Sequence, residues 1–253
     1  MDVLGALPPN LALAALFVIL AAIVRGFTGL GFALLAITSV SLLLPIRIVV
    51  PAMLLLEVLT GLHLFWSTRR EVHWTSIRPL LAGVALGTPV GLYVLIKAPA
   101  ALLSLALGVF TTVVGLLLLK GFALKRMPGT TGAFAAGAVA GATNGAFGIG
   151  GPPVFLLYLS APAAHTVGRA SMIACFLGMD LIYLPMLLAT GLVTREAMLL
   201  ALVMALPVAL GIALGARLLK VASPAGYRRT VLWLVIALGI IATAKALAAL
   251  GLA

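Results

Sequence analysis

Acidic side chains are almost missing from this chain, which has five Asp and Glu in 253 residues against sixteen Lys and Arg. All charged residues together make up 8% of the sequence and hydrophobic ones 64%, at a mean hydropathy of +1.31. A water-soluble domain of this length needs far more polar surface, so the scarcity of charge excludes that class and leaves an integral membrane bundle whose outer face meets lipid. A single cysteine excludes an intrachain disulfide and any CxxC site, and with three scattered histidines it leaves no metal-ligand cluster. Cys175, inside an apolar run, reads as core packing. No Lys or Arg precedes the first apolar run, where only Asp2 is charged. No cleavable signal peptide is therefore expected, and that run stays in the bundle. Paired-histidine motifs, a G-x-S-x-G elbow and usefully spaced carboxylate pairs are missing too, which argues against an intramembrane enzyme and implies no cofactor.

What is present is a series of ten apolar segments: 10 to 24, 28 to 45, 48 to 66, 79 to 96, 101 to 119, 130 to 144, 152 to 163, 170 to 190, 197 to 216 and 229 to 250. As helices the first and sixth reach only about 22 Å, short of a hydrocarbon core of roughly 30 Å, and read as half-helices or re-entrant arms. The net charge of +11 sits in ones to threes between these runs. Basic residues so placed signal topology and not a nucleic-acid surface.

The second half repeats the first. Gly26, Gly29 and Gly31 recur at an offset of 119 as Gly145, Gly148 and Gly150, and Gly87, Gly91 and Gly115 recur at an offset of 124 as Gly211, Gly215 and Gly239. Two repeats, 1–126 and 127–253, are expected to form one transport domain. Five segments per repeat is an odd number and turns the second repeat upside down. Three loops carry the positive charge: 67–78 with Arg69, Arg70 and Arg78, 120–129 with Lys120, Lys125 and Arg126, and 217–228 with Arg217, Lys220 and Arg228. If they are cytoplasmic, all three fall on one side of an inverted ten-segment arrangement, with both termini outside. A parallel four-plus-four arrangement is the alternative.

The strongest interruption of the apolar pattern is Thr143 to Pro153, reading Thr-Asn-Gly-Ala-Phe-Gly-Ile-Gly-Gly-Pro-Pro, and its first-half counterpart is Arg25-Gly26-Phe27-Thr28-Gly29-Leu30-Gly31. Unwound backbone inside a bilayer is tolerated only where it is buried in protein or lines a cavity. Symmetric breaks in inverted halves point to a transporter's binding site, with helix N-termini aimed at a shared cavity that suits an anion. The candidate substrate-binding residues are Arg25, Gly26, Thr28, Gly29, Gly31, Thr143, Asn144, Gly145, Gly148, Gly150, Gly151 and Pro152. Arg25 reads equally as a flank of the first segment. Glycines 83, 87, 91, 211 and 215 read as close helix packing. Glu57 and Asp180 lie mid-way along the third and eighth segments, where burying a carboxylate costs roughly 2.5 to 3.5 kcal/mol. They are candidate proton carriers, with a structural pairing to Arg25 or His63 as the plainer reading. Trp66 and Trp74 read as aromatic-belt anchors.

The run Gly-Ala-Phe-Gly-Ile-Gly-Gly-Pro-Pro at 145 to 153, with its degenerate copy Gly-Phe-Thr-Gly-Leu-Gly-Phe at 26 to 32, resembles the sulfite exporter TauE/SafE family of small bacterial membrane transporters. The first copy departs from that pattern at Leu30 and Phe32. The resemblance implies a permease for sulfur-containing anions such as sulfite or organosulfonates, working by alternating access in the inner membrane, with proton coupling as an option. Its partners are then a small anion and the lipid bilayer, with no nucleic acid, and a homodimer is an open assembly. A passive anion channel, or a cation or metal transporter using Glu57 and Asp180, are the alternatives. The expected fold is an all-α integral membrane bundle of 8–10 segments, with broken or re-entrant helices at each glycine-rich motif.

Overall fold

A computed structural model of the chain describes residues 10–28, 31–121, 129–159, 165–218 and 224–251. Among the described residues the structure is all-helical. The α-helices are α1 (Leu11–Thr28), α2 (Phe32–Val40), α3 (Ile46–Thr68), α4 (Trp74–Lys97), α5 (Ala100–Leu119), α6 (Thr130–Phe147), α7 (Gly151–Leu159), α8 (His165–Ala189), α9 (Arg195–Leu218) and α10 (Pro224–Ala249). Six of them, α3, α4, α5, α8, α9 and α10, are long and apolar enough to cross a membrane.

Two expectations about length are corrected. The first and sixth segments are not the short ones: α1 and α6 each run for 18 residues, about 27 Å. They pass through Arg25-Gly26 and Asn144-Gly145, where the apolar pattern stops, because those glycines are packed against neighbouring helices. The nine-residue helices are α2 and α7, about 14 Å each. The second apolar run, read as 28 to 45, is helical only over Phe32–Val40, and beyond Ser41 it turns toward Pro45. Helices α1 and α6, and likewise α2 and α7, begin and end at the separation that relates the first set of glycines.

The chain forms two compact units, each built from both halves of the sequence: Met1–Met53, Pro99–Lys120 and Leu192–Ala253 in unit 1, Leu54–Ala98 and Gly121–Gly191 in unit 2. In unit 2, α4 and α6 lie side by side and parallel. A Cβ on Gly83, Gly87 or Gly91 would overlap the carbonyl oxygen of Phe134, Ala138 or Ala142. Reciprocally, one on Gly137, Gly141 or Gly145 would overlap that of Leu80, Val84 or Thr88. A spacing of four puts each glycine set on one helix face. The backbones can touch because nothing larger than hydrogen stands between them. Leu80, Val84, Ala140, Val154, Cys175 and Met179 extend this contact into a buried core shared with α7 and α8.

Unit 1 has two close pairs. Helices α1 and α9 are parallel, with Gly211 against the Ile19 carbonyl, Gly215 against that of Ile23, and Gly26 against the backbone of Ile212. Helices α5 and α10 are antiparallel, with Gly108 beside Thr243, Gly239 beside Thr112 and Gly115 beside Ile236. Thr38 of α2 and Thr111 of α5 share a buried hydroxyl–hydroxyl bond of 3.0 Å. The expected packing role of the glycines in α4 and α9 is therefore present in both units. At the α3–α4 turn, exposed Trp66 stacks under the Arg69 guanidinium at 4.1 Å, and exposed Trp74 meets Phe65 edge-on at 6.3 Å. Both tryptophans are exposed, one near the end of α3 and one at the start of α4.

Candidate functional site: two helix breaks

In unit 1 the break separates α1 from α2. Gly31, at φ 87°, takes the left-handed conformation immediately before α2, which a side chain would strain. Arg25, one turn from the end of α1, is half-buried, and its guanidinium lies 5.8 Å from the centre of the Phe32 ring. Phe32 is the first residue of α2, so this contact joins the end of α1 to a side chain of the first turn of α2 across the break. Gly29 and the Thr28 side chain lie outside the described residues.

In unit 2 the break separates α6 from α7. Gly148, at φ 70° and ψ 17°, ends α6 and donates its N–H to the Asn144 carbonyl at 2.6 Å. Helix α7 opens Gly151-Pro152-Pro153. The two prolines fix a helical φ but carry no N–H, so this helix N-terminus presents few backbone donors. Asn144 offers another. It is 2% exposed, and its Nδ2 is buried without an acceptor among the described residues. Its Cβ lies 3.0 Å from where a side chain on Gly150 would begin. Met179 and Phe176 of α8 cover Gly150 and Gly151. Arg25 and Asn144 occupy the same place in their breaks, three residues before the last residue of the preceding helix.

The remaining predicted residues divide by role. Gly26 and Gly145 are occupied by helix packing, against Ile212 and Thr88. Thr143 directs its hydroxyl back to the carbonyls of Val139 and Ala140, at 3.2 and 3.1 Å, so its proton stays within α6. Asp180 is 5% exposed on α8 and Glu57 half-buried on α3, both in unit 2. Among the described residues there is no cluster of three His, Cys, Asp or Glu that could hold a metal.

Two polar groups escaped the sequence reading. Fully buried Tyr183 of α8 donates its hydroxyl to the Gly145 carbonyl at 2.6 Å. Its position three residues after Asp180, on one face of one helix, was the available signal. Lys245 of α10 donates Nζ to the Leu42 carbonyl, just past the end of α2. As a lone cation sixteen residues beyond Arg229 in the last apolar segment, it was visible but unremarkable.

A family model, the sulfite exporter TauE/SafE model, matches residues 14–242. No curated protein and no solved structure matches the chain. The match spans both units and both breaks, and the family is one of transporters, which fits a non-enzymatic role. Together with the six apolar helices it makes this a multi-pass membrane protein, consistent with the inner membrane. The chain belongs to the sulfite exporter TauE/SafE family.

Proposed function

We propose that the protein is a secondary transporter that passes a small sulfur-containing anion, such as sulfite or an organosulfonate, by alternating access. The observation that carries this reading is the matched placement of Arg25 and Asn144, each a nitrogen donor three residues before the end of the helix that leads into a break in an otherwise apolar bundle. A positive dipole end with added donors favours an oxyanion over a cation. Gly31, Gly148, Gly150, Gly151 and Pro152 act by shaping the backbone there.

The two halves, 1–126 and 127–253, are an inverted repeat in this reading. Equal lengths of α1 and α6, of α2 and α7 and of α4 and α9 support it. So do the helix directions: the parallel pairs α1/α9 and α4/α6 are one pairing with the halves exchanged, and the self-paired α5/α10 is antiparallel, as inversion requires. With α1–α2 and α6–α7 as re-entrant hairpins, each half has three complete spans, still an odd number. The basic loops then remain together on the cytoplasmic side. Single cysteines replacing Arg70 and Arg217, in a background lacking Cys175, are expected to react with an impermeant maleimide from the same face. Labelling from opposite faces overturns the inverted arrangement.

Proton coupling is assigned to Asp180, the buried carboxylate of the helix that covers the second break. Purified protein in vesicles is expected to move sulfite in a saturable manner, at a rate that changes across a pH 5.5 to 8 series. Asp180→Asn flattens that dependence. Non-saturating currents in a planar bilayer favour a channel, and a full pH response in Asp180→Asn removes this residue from the coupling.

A further inference from the structure

The last turn of α6 has two of its backbone carbonyls bonded and one side-chain donor open. The break at Gly148 deprives the final carbonyls of α6 of the amides that a continuing helix would supply. Two of them are recovered individually: Asn144 O by the Gly148 N–H, Gly145 O by the Tyr183 hydroxyl, both at 2.6 Å. An unpaired carbonyl is costly inside a bilayer, so these bonds hold the two peptide groups that flank the Gly145 Cα. The Asn144 Nδ2 between them has no acceptor among the described residues, although it is buried. A buried donor left open beside fully bonded neighbours calls for a partner that the chain itself does not provide.

We propose that Tyr183 is a positioning residue for anion recognition at this break. Its hydroxyl fixes the turn that carries Asn144, and the Asn144 amide donates to one oxygen of the bound anion. The proposal rests on reading the second break as an anion site. The same bond ties the end of α6 to α8, three residues beyond Asp180, so the donor and the buried acid share one rigid attachment.

Tyr183→Phe keeps the ring in its pocket and removes only the hydrogen bond. In reconstituted vesicles this variant is expected to raise the KM for sulfite about tenfold, the scale of one lost hydrogen bond with its displaced donor, while Vmax stays within about twofold. Asn144→Ala is expected to do the same. Because one residue acts through the other, the double variant gives about tenfold and not about a hundredfold, a non-additivity that general loss of stability does not produce. Thermal unfolding of purified protein, with and without sulfite, supplies a readout independent of transport. Wild type is stabilised by sulfite, and both single variants lose most of that shift while keeping their ligand-free midpoint within a few degrees. Unchanged KM and unchanged ligand shift in Tyr183→Phe, or effects that multiply, overturn the inference and leave the transport reading standing. If wild type neither moves sulfite nor is stabilised by it, while a set of sulfonates also fails, both readings fall.

Discussion

Gly87→Leu is expected to abolish accumulation of folded protein. The face of α4 at Gly87 meets the carbonyl of Ala138 directly, and a carbonyl in a hydrogen-bonded helix cannot swing aside as a side-chain tip would. Overpacking a core ordinarily costs about 1 to 3 kcal/mol, sometimes more. Here the backbones must separate, and separation also breaks the reciprocal contacts at Gly83, Gly91, Gly137, Gly141 and Gly145. A loss of about 3 kcal/mol shifts the folded-to-unfolded ratio about a hundredfold, a large part of a typical protein's stability. Size-exclusion profiles and thermal unfolding in detergent measure this. Gly129→Ala is the control: the added methyl meets nothing within 4 Å, and φ is −63°, so its midpoint stays at the wild-type value. A monodisperse Gly87→Leu protein with a wild-type midpoint contradicts the interlocked α4/α6 contact.

Arg25→Gln is expected to have the largest effect on transport without an equal effect on folding. The guanidinium is the permanent positive charge at the first break, and hydrogen bonds to charged groups contribute about 1.5 to 3 kcal/mol. Losing about 2 kcal/mol corresponds to a rise of about thirtyfold in the KM for the anion. Arg25→Lys retains the charge but not the planar group above Phe32 and falls between the two. Initial rates over a sulfite concentration series give the KM. A wild-type value in Arg25→Gln removes Arg25 from recognition and returns it to the role of a topological flank.

Much of this molecule could be read in its sequence, and the failures have identifiable causes. Apolar runs locate the long helices because lipid selects composition over every turn of a span. Glycine spacing located the breaks, since Gly31 and Gly148 do adopt left-handed backbone. The ends of α1 and α6 were set too early because Arg25-Gly26 and Asn144-Gly145 break a local pattern, whereas tertiary contact with Ile212 and Thr88 sustains the helix. Local propensity gave way to packing. Beyond its place one turn from Asp180, Tyr183 gave no sign of its bond, because its partner lies 38 residues upstream and an aromatic ring in an apolar helix looks alike whether or not its hydroxyl is bonded. Thr143 is ambiguous in sequence for a related reason: a threonine inside a helix can serve its own backbone as readily as a ligand.

The α4/α6 contact also limits how those helices can move. Each glycine accepts a carbonyl, the fit recurs every four residues on both strips, and the two strips are therefore commensurate, like racks with a common tooth spacing. A slip of one residue, about 1.5 Å, sets side chains against carbonyls along the whole contact. The next register that fits is four residues away, about 6 Å. A conformational cycle must then carry α4 and α6 as one piece, and displacement has to be taken up at the turns that flank the pair, of which Gly148 is one.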